Sequence, residues 1–327
     1  MESYRKRSGN IVLEINYYLE LLSAIAIVCN DPHSIFYIAR EKYNKKYREL
    51  QKKYFMRVKM LGAVEGLITL ANEYDFYKDS LVKLFLSFNF HKRLSRTEIC
   101  DDSYLIPEEE YEQFIQEIEK YERGSNFSSF YKRCEKTYLE IIDEFSKAYR
   151  IYQPLEFVCE KFNIDLNKRI TINLMMGITN KDYIIEFEKR IYICLKAVRE
   201  TKKKKNPSFS YNPIDWTVNL IEIFISNYVN KFLDDYLYEI LHIDKTIYHE
   251  LLNTIYEDGT MYEYIRDCIT RSIVCVYVES YFPDETAELI DKYNLNGFYK
   301  VRDIFKLYDL QGTINLKDHI NDILKLF

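Results

Sequence analysis

Glycine and proline are scarce, eight and six in 327 residues. An all-β sandwich or barrel needs turn signals roughly every 8–12 residues, so the scarcity points to long helices instead. The seven cysteines (29, 100, 134, 159, 194, 268 and 275) are odd in number, scattered and without a C-x-x-C pair. That spacing argues against a disulfide framework and a zinc knuckle, and for buried thiols in a reducing compartment. No apolar run approaches the ~20 residues of a membrane span. The opening MESYRKRSGNIVLEINYYLELLSAIAIVCND sets basic residues before an apolar run, as a secretory signal does. Glu14 and Glu20 interrupt that run, however, and a cytoplasmic protein is expected. There is no glycine-rich phosphate loop and no G-x-S-x-G elbow. With a net charge of −5, no overall field favours nucleic acid or an anionic membrane, and neither is expected as a partner.

What is present is the composition of a globular chain, 47% hydrophobic and 30% charged. Its length allows one large domain or two ordinary ones. Residues 11–29 read as an amphipathic helix ended by NDPHS, and 34–56 as a second helix with a charged face. Two further helical pieces follow, GAVEGLITLANEY and DSLVKLFLSFNF. Pro107 opens a helix whose first turn is Glu108, Glu109 and Glu110, a placement suited to the positive end of the helix dipole. Gly124 and Ser125 stop it, and the next helix runs to about Tyr152. After residue 165 the period changes: RITINLMMGIT and RIYICLKAV alternate as strands, flanking a weaker candidate in DYIIEF. A helix capped by Asp215 comes next, then helices near 245–256 and 260–281 and a helical tail broken at NLNG and LQGT. The division expected is a helical region over 1–165 and an α/β core over 166–327, within one compact unit or two. Lys202 to Lys205 form the strongest basic patch, and a solvated loop accounts for it. His242 and His249 lie seven apart on the chain without a third ligand, so surface histidines account for them.

The stretch NLIEIFISNYVNKFLDDY, 219–236, is apolar almost all the way round. Asn219, Glu222, Ser226 and Asn230 nevertheless recur at helical steps and stack on one narrow face. A small sheet followed by a helix with a polar i, i+4 pair is how zinc peptidases place the two imidazoles and the general-base carboxylate of His-Glu-x-x-His. In this respect EIFISNYVN, 222–230, resembles the active-site helix of a bacterial family of predicted zinc peptidases carried as a domain of unknown function. Phe224, Tyr228, Val229 and Asn230 carry the likeness. The resemblance extends through NYYLELLSAIAIV, YNKKYRELQKKYFMRVKMLGAV and IPEEEYEQFIQEIEKYERGSNFSSFYKRCEKTY to IRDCITRSIVCVY, 265–277.

The resemblance implies an α+β, predominantly helical fold: a helical N-terminal half packed on a zincin-like core with a small sheet and a central former active-site helix. It also implies that the chemistry is lost. The family's two histidines fall at Glu222 and Ser226, its general base at Ile223 and its later glutamate ligand at Asp267. Ile223 takes no proton from water, and without imidazole or thiolate the zinc preference goes. The expectation is therefore a degenerate, catalytically inactive homologue with no catalytic residue, metal or cofactor, whose cleft is kept as a binding or regulatory surface for a protein or peptide. Two alternatives stand beside it. Glu222, Ser226, Asn230 and Asp267 are a donor set for an all-oxygen magnesium, manganese or calcium site in a working hydrolase. Alternatively, the chain is a helical interaction module unrelated to peptidases.

Overall fold

The computed structural model describes residues 3–8, 11–29, 45–56, 64–66, 68–69, 73, 80–88, 106–165, 168–178, 181–187, 190–197, 199–200, 207–243, 248–256 and 259–327. They make a predominantly helical α+β protein with a five-stranded mixed sheet and a two-stranded ribbon. The chain divides into two compact units. Met1–Ala148 and Arg169–Tyr211 form the first, Tyr149–Lys168 and Asn212–Phe327 the second. Lys202 to Lys205, Cys100 and the 34–44 part of the expected second helix lie outside the described residues.

The first unit opens with two strands, Tyr4–Ser8 (β1) and Ile11–Ile15 (β2). Its described helices are Tyr17–Val28 (α1), Lys45–Phe55 (α2), Ser80–Ser87 (α3), Glu108–Gly124 (α4), Phe127–Arg133 (α5) and the greater part of Glu135–Tyr152 (α6). Arg169–Met175 (β3), Tyr183–Phe187 (β4) and Arg190–Lys196 (β5) complete the sheet. The strand order is β1-β2-β3-β5-β4. Strands β2, β3 and β5 run parallel, and each edge strand is antiparallel to its neighbour. Leu13, Ile172 and Ile193 stand in register and are wholly buried. A central strand covered on both faces needs such a continuous apolar run, and β3 is buried from Ile170 to Met175. The edge strand β1 carries Arg5, Lys6 and Arg7, charges that hinder pairing with another chain.

The three strands expected over 168–198 are present, but the single helix expected over 11–29 is not. Residues 11–15 are strand, and Asn16 starts the helix. Its backbone is extended, and its side chain accepts from the N–H groups of Tyr18 and Leu19. The helix expected to end near Tyr152 is likewise two, α5 and α6, parted at Cys134. Pro107 does precede α4, whose first turn holds the three glutamates.

The second unit is helical. It takes the last turn of α6, then Pro154–Lys161 (α7), Pro213–Leu233 (α8), a 3-10 turn at Asp234–Tyr236, and Leu237–Leu241 (α9). His249–Ile255 (α10), Met261–Tyr281 (α11), Thr286–Leu295 (α12), Val301–Lys306 (α13) and Leu316–Leu324 (α14) follow. At the centre is α11, packed by α7, α8, α9, α12 and α13. It buries Ile265, Cys268, Ile269 and every residue from Ser272 to Val278. Thr260 and Glu263 close a reciprocal capping box at its start. Gly297, beyond α12, has a φ of 92°, and a Cβ there would lie 2.6 Å from Ile255 Cδ1. The stripe helix α8 is capped by Asn212 rather than Asp215, because Pro213 occupies the first helical position. Asp215 instead accepts from the Asn212 amide. Phe224 and Val229 of α8 are buried. The segments expected to share one zincin-like core, 168–198 and 215–238, fall in different units.

Candidate functional site

Helix α8 carries Asn219, Glu222, Ile223, Ser226 and Asn230 half-buried, neither sealed in the core nor open to solvent. It packs against α11, which brings Asp267 into the same unit with its side chain 15% exposed. The carboxylates of Glu222 and Asp267 are each engaged by other partners. Tyr293 on α12 donates its hydroxyl to Glu222 Oε1 at 2.7 Å. Burial, and then the Glu222 carboxylate, hold the Tyr293 hydroxyl well above the ordinary tyrosine pKa, so it stays a proton donor. The Cys275 thiol on α11 is likewise pushed up, by burial first and Glu222 second.

Asp267 is held more tightly. Arg266 lies 2.8 Å from Oδ1, Arg271 lies 3.2 Å from Oδ2, and Tyr256 donates to Oδ2 at 2.9 Å. Arg271 is fixed in turn: it donates to the Asp267 carbonyl oxygen and lies 3.5 Å over the ring of Phe298. A divalent cation at Asp267 would have to displace one guanidinium and sit beside the other. The arrangement does not fit a metal ligand, and among the described residues no three His, Cys, Asp or Glu side chains gather as a metal site. Ile223 offers no proton acceptor. His242 Nδ1 is 2.7 Å from the Tyr238 carbonyl, and its ring packs on that tyrosine; the His249 side chain lies outside the described residues.

Asn230, the last member of the stripe, faces something different. It lines an open groove of about 550 Å³ whose walls include Leu237, Ile240, Leu241, Met261 and Arg266. Leu237 and Leu241 are 44% and 58% exposed, and the neighbouring Tyr238 is 73% exposed. At the rim Tyr262 donates to the Asn230 carbonyl and to Asp234 Oδ1. Burial and the Asp234 carboxylate raise its hydroxyl pKa to about 12. The structure thus separates the sequence-marked residues into an internal polar network at Glu222 and Asp267 and a groove at Asn230. The Asp267–Arg271 pair was visible in its i, i+4 spacing. Tyr256, Arg266, Tyr293 and the groove-lining leucines carried no such local signal. No family model, curated protein or solved structure matches the chain.

Proposed function

We propose that the protein is a non-catalytic, metallopeptidase-like binding protein that takes up a protein or peptide segment. The observation that carries this reading is the occupation of Asp267 by two guanidiniums and a tyrosine hydroxyl. A carboxylate so neutralised is a structural anchor rather than a vacant metal ligand. Glu222, bound by Tyr293, adds to it, as does the apolar Ile223 at the position of the base. The groove at Asn230 supplies what a binding protein needs: exposed leucines beside the polar side chains of Asn230, Thr260 and Arg266, which fix an extended or helical segment by hydrogen bonds.

The purified chain, loaded with zinc, manganese or calcium and dialysed, should retain no stoichiometric metal and cleave no peptide library. Peptides selected from a displayed library on the wild type should lose binding to Leu241→Lys while keeping it for Leu295→Lys, a control at a still more exposed leucine outside the groove. One tightly held metal per chain, or peptide cleavage, overturns the non-catalytic reading. Peptides indifferent to Leu241→Lys overturn the groove.

A further inference from the structure

Glu14 and Glu20 are both 1% exposed and lie on consecutive elements, yet they are stabilised differently. Glu14 has a cation, the Arg5 guanidinium, and a hydrogen bond from the Asn16 amide. Around Glu20 the partners are hydroxyls and amides. Tyr47 on α2 approaches Oε2 at 2.6 Å, and its hydroxyl lies 2.6 Å from that of Tyr138 on α6. The N–H of Met176, at the carboxyl end of β3, donates to Oε1 at 2.9 Å, and the Gly177 N–H acts on the same carboxyl group. Beside it Ser23 of α1 and Gln51 of α2 bond each other at 3.0–3.1 Å.

We propose that Glu20, Tyr47 and Tyr138 form a proton-operated latch that ties α1, α2 and α6 to the carboxyl end of β3, firm when the carboxyl is protonated and loosened when it ionises. The tyrosine chain is satisfied in either state by reversing its polarity: Glu20 donates to Tyr47 when protonated, and Tyr138 and Tyr47 donate toward Glu20 when it is charged. Among the described residues, no cation balances the charge of an ionised Glu20. The other titratable groups facing it among the described residues are Cys134 and Tyr131, both kept neutral by burial, the thiol pushed up to about 11. Helix α3, which also packs on α1, brings one titratable side chain, the half-buried Lys83.

Burial, opposed by the bonds from Tyr47, Met176 and Gly177, lifts the Glu20 carboxyl from 4.5 to about 7. A raised acid pKa in the closed form means that closure holds a proton the open form releases. Stability is complete below the open-state value and is lost as pH rises from there through about 7, above which it levels.

Hydrogen–deuterium exchange on the full chain, corrected for the intrinsic pH effect, tests this. Amides of α2 and of the end of β3 should lose protection by roughly 40-fold between pH 5 and 7, the change such a shift implies. Those of α11 should not follow. Glu20→Gln should keep α2 protected throughout. Tyr47→Phe removes a bond that favours the ionised form, so its window should move to higher pH. A flat wild-type profile, or the same loss in Glu20→Gln, overturns the latch. Where Glu20→Gln does not fold, an unmoved window in Tyr47→Phe overturns it instead.

Discussion

A methyl group on Gly177 would lie 1.6 Å from Ser23 Oγ and 2.7 Å from its Cβ. The backbone at the end of β3 therefore approaches α1 as closely as only glycine permits, and that approach brings the 176–177 amides onto Glu20. Gly177→Ala should cost about 1–3 kcal/mol, the range for forcing extra volume into a packed interior. The cost should shrink in a Ser23→Gly background, since the two positions collide with each other. Urea denaturation of the four chains measures it, and strict additivity would show the contact to be unimportant. At this scale the sequence was legible only where partners are close on the chain, as with Asp267 and Arg271. Glu222 meets Tyr293 across 71 residues. Tyrosine was uninformative in the sequence because it is so abundant, 31 residues. In the structure a tyrosine hydroxyl is hydrogen-bonded to each of Glu222, Asp267 and Glu20.

Elements were legible by period and lost where a period has no interruption. IVLEINYYLELL is apolar enough to suit a buried strand or a buried helix, and five residues are too short for the two periods to separate. What divides it is Asn16, a residue whose side chain both caps α1 and donates to Glu14. Asn16→Ala should cost about 1 kcal/mol through the lost cap. Asn16→Asp is ordinarily a neutral exchange at such a position, but here it sets a second carboxylate against a buried one. It should be worse than alanine at pH 8 and recover toward acid pH, where the added carboxyl takes a proton. Thermal melts of both variants at pH 5 and 8 check this. An aspartate variant as stable as wild type at pH 8 would mean that the amide bond to Glu14 is immaterial.

At the scale of the whole molecule, the change of pattern after residue 165 marks where strands begin but not what they pair with. Strand β3 lies beside β2 in parallel register, Ile11 against Ile170 and Leu13 against Ile172. A parallel pair requires a long crossover, and the partner of such a strand is set by tertiary packing rather than by any local pattern. The three parallel strands therefore join residues 11–15 to residues 169–196 across all the helices between them. A fragment ending at Asp165 keeps the β1–β2 hairpin but loses β3, β4 and β5. It leaves β2 with an unpaired inner edge, Leu13 and Ile15 uncovered, and Glu20 without the amides of Met176 and Gly177. An isolated hairpin is marginal in water, and an open apolar edge invites association. That fragment should aggregate or melt without cooperativity, whereas one extended to Tyr211 restores every strand of the sheet. Sedimentation and thermal melting of the two fragments decide it. A soluble, monomeric 1–165 chain with a cooperative transition would show that the helices fold without the sheet, and that the parallel pairing of β2 with β3 adds to a core already complete.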